Sequence, residues 1–227
     1  LPSKFHEMTH LSYQLPNNDL KRFFSNVVLK DDYETPLKDR LTQDTLKAVN
    51  KWCQAHNVKE DSGCLFAVTI TPKWDWLLTN YPTNGSRLDA TMTLAEKVLE
   101  KSNQWLWKKP NKNTHRFIQG TNVVEMRDHQ TGAEVSHHIH ALWCVHPLVA
   151  SNFTTKLMER IKDRTPSLAC VKDFDVQTIH NDPHDGDTWT SGWCDYIFKH
   201  ASDRDDKHFA HKYGKWETWD NGFTARQ

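Results

Sequence analysis

The chain has 227 residues with 29 basic and 29 acidic side chains, 37% hydrophobic and 11% aromatic content. That is enough apolar chain for one sizeable core, with or without an extension, and it excludes a disordered polymer. The zero formal charge excludes a global field that draws in polyanions, so any affinity for nucleic acid must come from a local patch.

Ten tryptophans either fill core or offer flat faces on which bases can stack. The five cysteines (Cys53, Cys64, Cys144, Cys170, Cys194) are odd in number and lack C-x-x-C spacing. That argues against a disulfide framework and for a reducing, intracellular compartment. No run reaches the length of a membrane span, and the N-terminus has no charged-then-apolar signal pattern, so no membrane partner is expected. The chain begins at Leu1 rather than Met, as a piece of a longer protein would.

Residues 1–60 read as a polar, helical N-terminal extension, with residues 61–227 as the main domain. The best helix of the extension runs from about Leu41 to His56, with Leu41, Leu46, Val49 and Trp52 on one side. Leu65–Pro72 reads as a strand ended by proline. Its Phe66, Val68 and Ile70 face one way; Ala67, Thr69 and Thr71 face the other. A loop from Asn80 to Gly85 leads to a helix near Asp89–Trp107. The loop that follows, with Lys108, Lys109, Lys112 and Arg116, is the most basic short segment, and Trp105 and Trp107 stand beside it. Cations beside aromatic faces suit single-stranded nucleic acid, and a solvated basic loop is the plain alternative.

A second strand, Phe117–Met126, carries Gln119, Thr121, Val123 and Glu125 on one side. A turn at Asp128–Gly132 makes a hairpin into Ser136–His146. There His138 and His140 share one face, while His137, Ile139, Ala141, Trp143 and Val145 point to the other. A helix over Leu148–Asp163, a fourth strand within Ala169–Ile179 and a final helix near Thr190–Ser202 complete the order.

This β-α-β-β-α-β order implies an α+β, ferredoxin-like (RRM-like) antiparallel sheet with helices on one face. The other face is left open, and Thr69, Thr71, Gln119, Thr121, Glu125, His138 and His140 share it. Two imidazoles and a carboxylate on one surface form a mixed N/O set suited to Mn²⁺ or Mg²⁺ when a phosphate supplies further ligands. On the final helix Tyr196 and Lys199 are three apart, hence neighbours. A phenol is a poor nucleophile near neutral pH, and a metal-polarised phosphate with an ammonium beside it would remedy that. Ordinary strand-end charges and a core-packed tyrosine are the plainer readings of these residues taken singly.

The strand Leu65–Pro72, His138-Ile139-His140 and Tyr196-Ile197-Phe198-Lys199 together resemble, in order and spacing, the three motifs of HUH endonucleases. The branch they resemble is the Rep type, which starts rolling-circle replication, over roughly residues 62–203. Tyr196 follows the histidines, unlike in relaxases, and a second tyrosine one helical turn on is absent, so a single-tyrosine enzyme is implied. The resemblance implies metal-dependent attack of Tyr196 on a single-stranded DNA phosphate, a nucleotidyl transfer with a 5′-phosphotyrosyl intermediate. It implies His138 and His140 as metal ligands, Glu125 as a third, and Lys199 as the lysine beside the nucleophile. The implied partner is single-stranded or hairpin DNA at a replication origin. No glycine-rich phosphate-binding loop is present, so a helicase is expected in a further C-terminal part or a separate protein. Thr69, Thr71, Lys108, Lys109, Lys112 and Arg116 are the candidate DNA contacts, and His180 and His184 could approach the site. Other readings are an HUH transposase of a mobile element, a non-catalytic RNA-binding module, and a metal-only hydrolase with no use for Tyr196.

Overall fold

Helix α1, Leu37–His56, ends where Asn57 takes a left-handed conformation (φ 52) and Val58 N–H bonds the Cys53 carbonyl at 2.9 Å. That closure satisfies orphan carbonyls, and Asn tolerates the conformation better than most residues. The computed structural model describes residues 37–127, 134–179, 189–199 and 214–219, all within the unit Tyr33–Asn221. Residues 1–36 of the expected extension lie outside the described residues. α1 itself sends Leu41, Val49, Trp52 and Cys53 into the same core as the sheet.

Five strands follow: β1 Leu65–Pro72, β2 Gln119–Arg127, β3 Glu134–Cys144, β4 Val171–Thr178 and β5 Gly214–Trp219. They form one antiparallel sheet in the order β4-β1-β3-β2-β5. The first four carry the order of a ferredoxin-like α+β fold, with the crossover helices of the two interleaved units on one face. β5, which the sequence did not suggest, adds an edge beside β2.

The covered face is set by alternation. Phe66, Val68 and Ile70 of β1 and Ile139, Ala141 and Trp143 of β3 are at most 3% exposed. Over them lies α3, Asn84–Leu106, whose Leu88, Met92, Ala95, Leu99 and Ser102 recur at helical spacing. Thr83 and Ser86 cap its start reciprocally. His137 points to this face, as its parity requires; its Nδ1 meets Thr91 Oγ1 of α3 at 3.3 Å and its ring packs on Trp74. It is structural.

Three helix bounds differ from expectation. The Asn80–Gly85 loop shrinks to three residues, because α2, Trp74–Asn80, follows Pro72 and α3 starts at Asn84. The single helix expected over Leu148–Asp163 is two: α4, Pro147–Ala150, and α5, Thr155–Arg164. The break falls at Thr154, which is extended (φ −131, ψ 164), and Phe153 just before it is 1% exposed with its ring against Phe66 and Trp143. The last helix, α6, spans Trp189–Ile197.

Gly120 lies tight against the β3 backbone. A Cβ there would stand 2.0 Å from the Leu142 carbonyl oxygen, so only glycine lets β2 lie against β3 at this point.

Candidate active site on the second sheet face

Register decides which side chains meet. Glu125 pairs directly with His138, Val123 with His140, and His140 in turn with Thr69 of β1. Directly opposite residues share a face, so the expected grouping of Thr69, Glu125, His138 and His140 holds. Thr71 and Thr121 have the same parity.

On the three strands β1, β3 and β2 part of this face is covered, while Asp173, Asp175 and Gln177 of β4 share it and are exposed. Leu65, Val123, Leu142 and Cys144 share it too, and all four are buried. α6 lies over β3 here, with the indole N–H of Trp193 donating to the Ala141 carbonyl at 2.9 Å. α1 braces α6 from outside. Thr42 donates to Asp195 at 3.3 Å, and Lys38 approaches the same carboxylate oxygen at 3.6 Å. Burial pushes the Cys144 thiol well up, with Cys53 of α1 and Cys194 of α6 near enough to add to the shift. The thiols of Cys53 and Cys194 are themselves pushed up to about 11 and about 12, chiefly by burial. These cysteines are packing groups, not nucleophiles.

At the open end Glu125 Oε2 stands 3.2 Å from His138 Nε2, 3.1 Å from His140 Nε2 and 2.7 Å from Lys199 Nζ. The three ligand atoms of Glu125, His138 and His140 all lie within 4.8 Å of one another, and among the described residues this is the group with that property. The far ring nitrogens are held as well. His138 Nδ1 meets the Ser136 carbonyl at 2.9 Å, and His140 Nδ1 meets Thr69 Oγ1 at 3.3 Å. A carbonyl can only accept, so the hydrogen bond puts the His138 proton on Nδ1 and, in neutral imidazole, a lone pair on Nε2. Such outer partners fix tautomer and ring orientation in metal-binding histidines. Protonated, His138 donates from Nε2 to Glu125; neutral, its Nε2 lone pair joins His140 and the carboxylate in a donor set that fits a divalent ion.

The two imidazoles have opposite electrostatics although they share one carboxylate. Burial lowers the pKa of His140, and the neighbouring His138 and Lys199 charges add to that against Glu125. Burial also opposes charge on His138. There the hydrogen bonds to Glu125 and the Ser136 carbonyl outweigh it, and the pKa is raised.

Tyr196 and Lys199 reach the same spot from α6 and the turn after it. The Tyr196 ring is 5.0 Å from the His140 ring at 76°, and Lys199 Nζ lies 4.0 Å from the Tyr196 ring centre. Trp193 stacks on Tyr196 at 5.2 Å and 21°, and it also edges His140 at 5.7 Å. Tyr196 is 43% exposed, so its ring is held on several sides yet open to a substrate.

Other expected contacts fall elsewhere. Thr69 serves His140 rather than standing free on the surface. Thr71 is half-buried opposite Asp173. Lys108, Lys109 and Lys112 are exposed, and Arg116 lies over the Trp107 ring at 5.8 Å. This basic segment sits at the start of β2, where Gln119 pairs with Cys144, while Glu125 lies six residues farther along the same strand. At about 3.3 Å per residue the two are about 20 Å apart. His180, His184 and the turn 128–132 lie outside the described residues. Trp193 was missed by sequence reasoning; its signal was its place three residues before Tyr196, on the same helical surface.

No protein-family model, curated protein or solved structure matches the chain.

Proposed function

We propose that the chain is a metal-dependent, Rep-type HUH endonuclease that nicks and rejoins single-stranded DNA to initiate rolling-circle replication. The observation that supports this reading is the meeting of Tyr196 and Lys199 with Glu125, His138 and His140 at the open end of one sheet face. A metal-only hydrolase has no use for a phenol there. An RNA-binding sheet needs aromatic residues on its two central strands, and here those strands carry Thr69, His138 and His140.

In this reading Glu125, His138 and His140 hold Mn²⁺ or Mg²⁺, which when bound supplies Lewis-acid polarisation of a non-bridging phosphate oxygen. Tyr196 Oη forms the new bond to phosphorus and gives up its proton. The bond from phosphorus to the 3′ oxygen breaks, and that oxygen takes a proton to become a 3′-hydroxyl. The other strand end stays on Tyr196 as a 5′-phosphotyrosyl ester, and attack by a 3′-hydroxyl reverses the step and joins strands. Lys199 stands where an ammonium stabilises charge on the phenol oxygen or on the phosphate. The substrate is single-stranded or hairpin DNA at an origin, with a helicase supplied elsewhere, inside a cell. The basic segment at the far end of β2 suits DNA flanking the cut.

The test is incubation with labelled hairpin oligonucleotides and Mn²⁺, followed by a denaturing gel. A covalent adduct is expected, lost on chelation and in Tyr196→Phe. An undiminished adduct from Tyr196→Phe would overturn the assignment.

A further inference from the structure

Lys199 stands on the same carboxylate oxygen toward which both imidazoles turn. Its Nζ is 2.7 Å from Glu125 Oε2, closer than either histidine nitrogen, and Glu125 is only 7% exposed. The lysine side chain is itself about three-quarters buried, so solvent screens this pair little. The same ammonium also lies 4.0 Å from the Tyr196 ring centre. One cation therefore touches both groups at once, the carboxylate of Glu125 and the ring of Tyr196, on a flexible stem that can favour either.

We infer that Lys199 competes with the divalent cation for Glu125, and so sets the metal affinity of the site while linking metal uptake to release of the ammonium toward Tyr196. This rests on the reading of Glu125, His138 and His140 as the metal centre. The physical basis is charge. A divalent ion ligated by Oε2 and the two Nε2 atoms would be next to an ammonium held on that same oxygen, and like charges at such spacing in a buried site repel strongly. Either the ammonium leaves Oε2 when the metal enters, or the metal binds less tightly for its presence. In both cases Lys199 opposes metal binding. A lysine that merely steadied the carboxylate as a ligand would do the reverse.

The two roles give opposite signs in a binding measurement that needs no DNA. Calorimetric titration with Mn²⁺ alone is compared for wild type, Lys199→Met and Lys199→Arg, with circular dichroism verifying the fold. Lys199→Met, which keeps a stem of similar length, is expected to bind Mn²⁺ on the order of 10-fold more tightly, the scale of one charge-assisted hydrogen bond. Lys199→Arg, which keeps the charge, stays close to wild type. Covalent adduct formation by Lys199→Met falls even as its metal affinity rises. Unchanged or weaker Mn²⁺ binding by Lys199→Met overturns the competition while leaving the metal centre standing. Absence of Mn²⁺ binding in wild type and Lys199→Met alike overturns the metal reading and this inference together.

Discussion

Trp193 ties the Tyr196 helix to the strand that carries the histidines, and removing it measures what that tie contributes to the proposed activity. Its indole N–H donates to the Ala141 carbonyl, the residue next to His140, while its ring stacks on Tyr196. Trp193→Phe keeps an aromatic face and loses the hydrogen bond, about 1 kcal/mol net, since the carbonyl retains partial satisfaction in the sheet. If that loss appears wholly as misplacement of Tyr196, adduct formation slows about five-fold. Trp193→Ala also loses the ring pair, bringing the cost to about 2 kcal/mol and the slowing to about 30-fold. The assay is the single-turnover rate of covalent adduct formation at saturating Mn²⁺, with Mn²⁺ affinity measured separately by calorimetry. Rate should fall while metal affinity stays, because Trp193 is no ligand. A full rate in Trp193→Ala refutes the positioning role, and a matching loss of Mn²⁺ binding shows that the indole supports β3 rather than Tyr196.

Mn²⁺ at 100 times its dissociation constant should stabilise the fold by about 2.7 kcal/mol, raising Tm by about 5–10 °C for a chain of this size. A thermal melt of His138→Ala with His140→Ala that still shows the rise would remove these residues from the metal centre. Gly120→Ala should lower the stability read from a denaturant midpoint by about 3 kcal/mol, because its Cβ would overlap the Leu142 carbonyl oxygen; an unchanged midpoint would mean that β2 and β3 separate freely there. The pKa of His146 is lowered to about 4 by burial first, then by the charges of His56, Arg116 and His115. Between pH 4 and its ordinary 6.5 the unfolded chain binds a proton that the folded chain refuses, so stability falls as pH drops through that window. His146→Gln should flatten the fall between pH 7 and pH 5 in urea melts, and an identical slope in both proteins would discount His146.

The grouping of strand, histidine pair and tyrosine helix was legible because each part is a local pattern. Period-two alternation put Thr69, Glu125 and His140 on one face without any knowledge of the fold, and register then only had to align β2 with β3. What escaped was tertiary. The place of Phe153, against Phe66 and Trp143, depends on partners far away in sequence. The distance of the basic segment from the histidines is tertiary too, because nothing local says which end of β2 Glu125 occupies. The helices α1 and α6 were placed as an extension and a tail, yet together they cap half of the face taken to be open. A signal for that cap did exist. Leu65, Val123, Leu142 and Cys144 have the parity of His140, and a face carrying four apolar residues at one end needs a cover.

That division of the face accounts for the asymmetry within the site. His140 lies at the boundary, with Trp193 and Tyr196 against its ring and Thr69 behind it, so little water remains to stabilise its charge. His138 lies one pair farther out, its side chain 25% exposed, where Glu125 and the Ser136 carbonyl can favour a charge. The covered half thus disfavours charge on the imidazole beside Tyr196, while the open half favours it on His138. Any change that loosens α6 from β3, whether at Trp193, at Asp195 or on the Thr42 side of the brace, would admit water at His140 and blur the difference between the two histidines. The anchoring of α6 therefore sets two quantities together, the place of Tyr196 and the electrostatics of the imidazole beside it.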